Sequence, residues 1–277
     1  MYQDLIDHFA QSGEEKADTV RHHFAAFLIG AAMAGAYIGF GDIIMFTAGA
    51  HADPAWAHLV MGVVFSSALT IVVFAGSELF TGTAMYMPLS VLTRRSNIAD
   101  MLLVWATAWI GNLIGAMVLA GLFHLAGGGV LLGDGSQAFF SIVSAKMSAG
   151  SLELLARGIL CNWLVCLAIW MAGRTENAAA KIMLIFWPIT IFVAAGYEHS
   201  VANMFTFSMA LMGDHPANIT LFAAVHNLVW VTLGNLIGGA VFMALGYWLQ
   251  ADGTGHISFA PAPVRLRTKP SANRGEK

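Results

Sequence analysis

Six stretches of this chain, at about 24–50, 57–92, 100–126, 152–173, 182–212 and 221–250, are apolar almost throughout. An α-helix needs about 20 such residues to cross a bilayer, and each stretch supplies them. Hydrocarbon offers the backbone no hydrogen-bond partner, so a span must be a helix or part of a closed barrel. Barrel strands read as alternating segments of about ten residues, and these runs are long and continuous. The sequence therefore predicts an all-α membrane protein. Composition agrees: 10% of residues are charged, against roughly a quarter in soluble domains.

The flanks read differently. Over residues 1–23, Tyr2, Leu5, Ile6 and Phe9 recur at helical spacing between acidic residues. That pattern predicts an amphipathic helix lying on the membrane or on a neighbouring subunit. Asp4, Asp7, Glu14, Glu15 and Asp18 fill the place of a signal peptide's apolar region, so none is expected. Residues 251–277 are rich in Pro, Gly and basic side chains and predict a disordered tail after the 24–250 membrane domain. A net charge of −3 gives no reason to expect nucleic acid. Cys161 and Cys166 lie five apart in one span, on different helix faces, and read as buried apolar residues.

Segments two and five are longer than one crossing requires, and each has a polar interruption. In segment two it runs from Gly76-Ser77-Glu78 to Thr83, and in segment five from Gly196 to Ser200 and on to Asn203. Both predict helices broken within the membrane. The pentapeptide at 111–115 (GNLIG) recurs at 234–238, and AGSE at 75–78 is echoed by AGYE at 195–198. Matched features three segments apart imply two homologous halves of three crossings each, the second inverted. Inverted repeats with interrupted helices point to a midplane transport site. The glycines of 35…39, 111…115 and 234…238 are spaced for close helix approach. With the N-terminus in the cytoplasm, 11 of the 13 Lys and Arg residues fall on the cytoplasmic side. Only Lys146 and Arg157 fall outside, which orients both termini inward.

An ionisable group deep in the membrane needs a reason to be there. The candidates are Asp42, Glu78, Glu198 and His199. His199 lies in the second break, and an imidazole there could present a donor to an anion or hand it a proton. Thr81, in the matching break, offers a hydroxyl. Glu78 and Glu198 are expected to accept from free N–H groups of their own breaks, since a bare carboxylate on the path would repel an anion. Lys146 could draw anions into a vestibule. Phe65 and Leu69, one helix turn apart, and Leu79-Phe80 could form apolar constrictions or simply belong to the core. Asp42 has no assigned role. No histidine pair at matched depth suggests haem, and no nucleotide loop, catalytic triad or metal-ligand cluster stands out. No enzyme and no cofactor is expected.

Four stretches, residues 75–82 (AGSELFTG), 161–171 (CNWLVCLAIWM), 196–204 (GYEHSVANM) and 231–239 (VTLGNLIGG), resemble the formate–nitrite transporters, in that family's order. The wording of the second and third, with His226-Asn227-Leu228-Val229-Trp230, looks most like the bacterial nitrite channel branch. The resemblance implies an aquaporin-like six-helix protomer in a homopentamer of the bacterial inner membrane, each protomer with its own pore. It places the central threonine and histidine at Thr81 and His199, and the vestibule lysine at Lys146. The outer constriction falls at Phe65, Leu69 and Phe192, and the inner one at Leu79, Phe80 and Val165, with Asn162 beside it. Asn203 belongs to the second break. The family's N-terminal lysine has no ungapped counterpart, though Lys16 is nearby. The expected mechanism is transient protonation of a small anion at His199, so that the neutral acid crosses the apolar constrictions. Formate or hydrosulfide in the same fold, and more remotely a membrane redox subunit, are the alternatives.

Overall fold

The computed structural model describes residues 2–252, which are helical apart from turns. The helices are α1 (Tyr2–His22), α2 (Phe24–Ala50), α3 (Ala57–Ala75), α4 (Phe80–Leu92), α5 (Ile98–Leu125), α6 (Gly129–Leu132), α7 (Ser136–Ser148), α8 (Ser151–Ala172), α9 (Ala178–Ala194), α10 (Ser200–Met212), α11 (Leu221–Ile237) and α12 (Gly246–Asp252). A π-helical stretch, Gly238–Leu245, joins the last two. No strand occurs among the described residues. The expected tail lies outside them, except that α12 carries the chain to Asp252.

Among the described residues, five helical spans are long and apolar enough to cross a membrane: α2, α3, α5, α8 and Leu221–Ala251. The stretch at 182–212 is carried by two shorter apolar helices, α9 and α10. Large apolar side chains crowd the outside of the bundle, for example Ile29, Met33, Phe40 and Ile44 along α2. Inside are small residues, aromatics such as Phe80 and Phe205, and the asparagines Asn112, Asn162, Asn227 and Asn235. This is the reverse of a soluble surface and suits lipid or neighbouring subunits.

Local chemistry sets the helix ends. Asn97 and Asp100 form a reciprocal capping box at the start of α5, while Asn177 and Thr220 cap α9 and α11. α3 stops at Gly76, whose φ of 68° is left-handed, and after α9 Gly196 holds φ 73°. Only glycine adopts that conformation without strain. The two breaks therefore open on the same backbone device.

Helix pairing repeats as well. Gly35 of α2 meets the backbone of Asn112, and Gly115 of α5 meets the backbone of Ala32. In the second half Gly234 and Gly238 press on the α8 backbone at Leu155 and Ile159. The two GNLIG pentapeptides thus seat α5 on α2 and α11 on α8.

Two parts of the fold differ from expectation. The apolar face of α1 is covered by this same chain, with Phe9 packed between Tyr86 of α4 and Trp170 of α8. The connection before the fourth apolar stretch holds two further helices, α6 and α7, and Lys146 sits in the last turn of α7.

Candidate functional site

Each break exposes backbone groups that a helix would have satisfied, and in a buried setting they need partners. Asparagines from the next long helix provide them. Asn112 of α5 accepts from the N–H of Phe80 at 2.9 Å and donates to the carbonyls of Glu78 (2.9 Å) and Ala31 (2.7 Å). Asn235 of α11 accepts from the N–H of Ser200 at 2.9 Å and donates to the carbonyls of Glu198 (3.1 Å) and Gly158 (2.8 Å). These are the asparagines of the two GNLIG pentapeptides. From the sequence, that motif reads as a repeat marker and a glycine packing surface, with no role for its asparagines; the polar residue recurring in both copies was the available signal.

The carboxylates do something else than expected. Neither one caps its own break. Glu78 accepts from Lys16 Nζ of α1 at 2.5 Å, and Glu198 accepts from Lys146 Nζ of α7 at 2.9 Å. Each break so carries one lysine–glutamate pair, delivered by a helix outside the main bundle. A buried carboxylate is stabilised far more by a cation than by a neutral N–H, which is why the lysines win. The second pair is the more enclosed: Glu198 is only 2% exposed. Asn203 links to it, donating to Glu198 at 2.6 Å and accepting from Lys146 at 3.1 Å. Asn227 accepts from Asn203 at 2.8 Å and donates to the Lys146 carbonyl at 2.9 Å.

Between the breaks, Thr81 Oγ1 and His199 Nε2 meet at 3.1 Å, both buried. His199 Nδ1 accepts the Ala202 N–H at 3.1 Å and caps α10. A nitrogen that accepts carries no proton, so the neutral ring holds its hydrogen on Nε2 and donates it to Thr81. The threonine hydroxyl is left with its own hydrogen to donate. Asn162 fixes the same turn from α8, donating to the Thr81 carbonyl at 3.1 Å and the Asn235 carbonyl at 2.6 Å. The Cys166 thiol donates to the Thr81 carbonyl at 3.4 Å. Cys161 and Cys166 are both free and buried.

One cavity borders His199, and another borders Leu79 and Gly82, which flank Thr81 in the chain. The latter, of about 260 Å³, is bordered by Lys16, Leu69, Leu79 and Gly82. The former, of about 70 Å³, is bordered by Asp42, Phe65, Lys146, Phe192, His199 and Asn203. Phe65 and Phe192 meet edge to face at 5.9 Å, and Phe192 stacks on His199 at 6.0 Å. Leu69, grouped with these aromatics by the sequence, borders the Lys16-side cavity instead. Phe80 and Val165 are buried and border neither cavity.

Such an arrangement can bind and neutralise a small anion. It offers a hydroxyl donor, an imidazole behind it, and apolar side chains on either side. It holds no cluster that could ligate a metal among the described residues.

Known proteins resemble this chain along most of its length. The family model "Formate/nitrite transporter" matches residues 3–249. The nitrite transporter NirC of Escherichia coli is 45% identical over 248 residues, covering 90% of this chain and 92% of that protein. The nitrite transporter NirC of Salmonella typhimurium is 43% identical over 272 residues, covering 98% and 99%. Among solved structures, an FNT family ion channel aligns with a TM-score of 0.87 at 44% identity, over 90% of this chain and 99% of that one. A pentameric formate channel with formate bound aligns with a TM-score of 0.71 at 30% identity, over 84% and 98%. This chain belongs to the formate/nitrite transporter family.

Proposed function

We propose that this chain is a nitrite channel of the bacterial inner membrane, working as a homopentamer with one pore in each protomer. The observation that carries this reading is the buried Thr81–His199 bond, made by one residue from each helix break, with one cavity bordered by His199 and another by Leu79 and Gly82. The NirC relatives supply the substrate and the pentameric formate channel the assembly. In this reading the chain makes six crossings as two inverted repeats, aquaporin-like, with α3–α4 and α9–α10 as the broken crossings. The Lys16 side and both termini then face the cytoplasm, as the distribution of basic residues favours.

The mechanism follows from solvation. A bare anion forced through an apolar constriction loses its hydration at a cost the neutral acid largely avoids. Nitrite enters the Lys146-side vestibule and reaches the Thr81 hydroxyl. His199 first takes a proton from the vestibule at Nδ1, releasing the Ala202 N–H. The resulting imidazolium passes its Nε2 proton to Thr81 as Thr81 passes its own to the anion, leaving a neutral ring. Each anion neutralised so takes up one proton from solution. Nitrous acid then crosses the barrier of Leu69, Leu79 and Phe80 into the Lys16-side cavity and ionises there. Phe65 and Phe192 narrow the approach, and Val165 and Asn162 hold the inner wall. The alternative substrates are formate and hydrosulfide, which share size, charge and weak acidity.

Flux into proteoliposomes of the purified protein, comparing nitrite, formate and hydrosulfide at several pH values, tests the assignment. Preferred nitrite uptake that rises as pH falls is expected. A formate preference would replace the substrate and keep the mechanism, and absence of flux for all three would overturn the channel reading.

A further inference from the structure

Asp42 stands apart from every other acidic residue in the bundle. It lies within α2, is fully buried, and neither carboxyl oxygen has a hydrogen-bond partner. Glu78 and Glu198, by contrast, are each ion-paired. A core position without a partner should not hold an acid at all unless the acid does something there. Asp42 is not sealed in the core, however. It borders the same small cavity as His199, Lys146 and Asn203.

The charges around that cavity define what Asp42 can do. The other titratable or charged side chains bordering it are Lys146 from α7, His58 from α3, and Tyr197 and His199 from the second break. α10 contributes only Ala202, Asn203 and Thr206, and α5 and α6 contribute nothing, among the described residues. Lys146 is already neutralised by Glu198, so the vestibule is not a cationic trap. With the imidazoles neutral, its net charge is decided by Asp42. Ionised, Asp42 gives the cavity one uncompensated negative charge beside the anion's path. Protonated, it removes that charge and adds an O–H donor.

We propose that Asp42 is a proton-holding subsite of the vestibule, binding the entering oxyanion through its neutral carboxyl group and closing the vestibule to anions when ionised. The carboxyl takes its proton from vestibule water and keeps it; the anion accepts a hydrogen bond there and is neutralised later, at Thr81. The subsite's ligand class is a small monovalent oxyanion, nitrite or formate. This rests on the channel reading and deepens it by adding a second point of proton control, ahead of His199.

Asp42→Asn keeps the shape and the donor and removes the charge. The test is nitrite uptake by proteoliposomes of wild type and Asp42→Asn across a pH series, with assembly checked by size-exclusion chromatography. The ratio of variant to wild-type uptake should lie near one at the acidic end and climb roughly tenfold or more towards the alkaline end, where wild type carries the repelling charge. A ratio independent of pH, or a variant slower than wild type at every pH, overturns the proposal while wild-type flux leaves the channel reading standing. Wild type that moves no anion overturns both. Infrared difference spectra of the wild-type protein give an arm that survives a misfolded variant. Adding nitrite should shift the C=O stretch of a protonated carboxylic acid, and spectra with no such band count against the subsite.

Discussion

Asn112 and Asn235 show how much one side chain can carry. Each satisfies one N–H and one carbonyl at a break and also bonds a carbonyl of a neighbouring helix, Ala31 or Gly158. Replacing either by leucine keeps the bulk and leaves the two break groups without that partner in a buried site, at about 1–3 kcal/mol for each group. Both variants should show a clearly lowered thermal midpoint in detergent, and an unchanged midpoint would contradict the role. The sequence made Thr81 and His199 legible because a titratable or hydroxyl group in an apolar span is conspicuous. The asparagines hid inside a glycine motif whose packing role was sufficient reason for it. Lys16 was noticed but left without a role for another cause: its partner lies 62 residues away, and only the tertiary fold docks α1 against it.

At the scale of elements, four apolar stretches read from sequence match single long helical spans to within a few residues, and 57–92 and 182–212 each match a pair of helices, because length and hydrophobicity alone specify them. The non-helical turns at 76–79 and 195–199 lie where polar residues interrupt those stretches. Amphipathic pieces were harder. Periodicity gives α1 an apolar face but does not say what covers it, and α7 has too little hydrophobicity to stand out from a loop. Packing of α2 on α5 yields a sharp prediction. A methyl group on Gly115 would collide with the backbone of Ala32, whereas Gly121 of the same helix has open space around it. Gly115→Ala should destabilise the protein and reduce the yield of assembled oligomer. Gly121→Ala should be neutral or stabilising by up to about 1 kcal/mol, since alanine is the better helix former. Equal melting temperatures for the two variants would contradict this account of the seam.

At the scale of the whole molecule, the two helix breaks meet at one hydrogen bond, Thr81 to His199. Orientation belongs to this scale. Glu176 lies on the face that carries α1, beside Asp4 and His8, and Asp53 lies in the turn between α2 and α3. Both native cysteines are buried, so a cysteine introduced at either position reports on its own. Glu176→Cys should react with an impermeant maleimide only in inside-out vesicles, and Asp53→Cys only in intact cells or right-side-out vesicles. The opposite pattern would reverse the assigned direction of the vestibule.

The central claim is that the anion crosses because His199, acting through Thr81, neutralises it between two apolar barriers. Nitrite uptake by proteoliposomes of wild type and His199→Phe, measured side by side from acidic to neutral pH, tests this most directly. Uptake by wild type should increase with acidity, and His199→Phe should show none at any pH, with the oligomer of the variant intact. Unimpaired uptake by an assembled His199→Phe protein would contradict it.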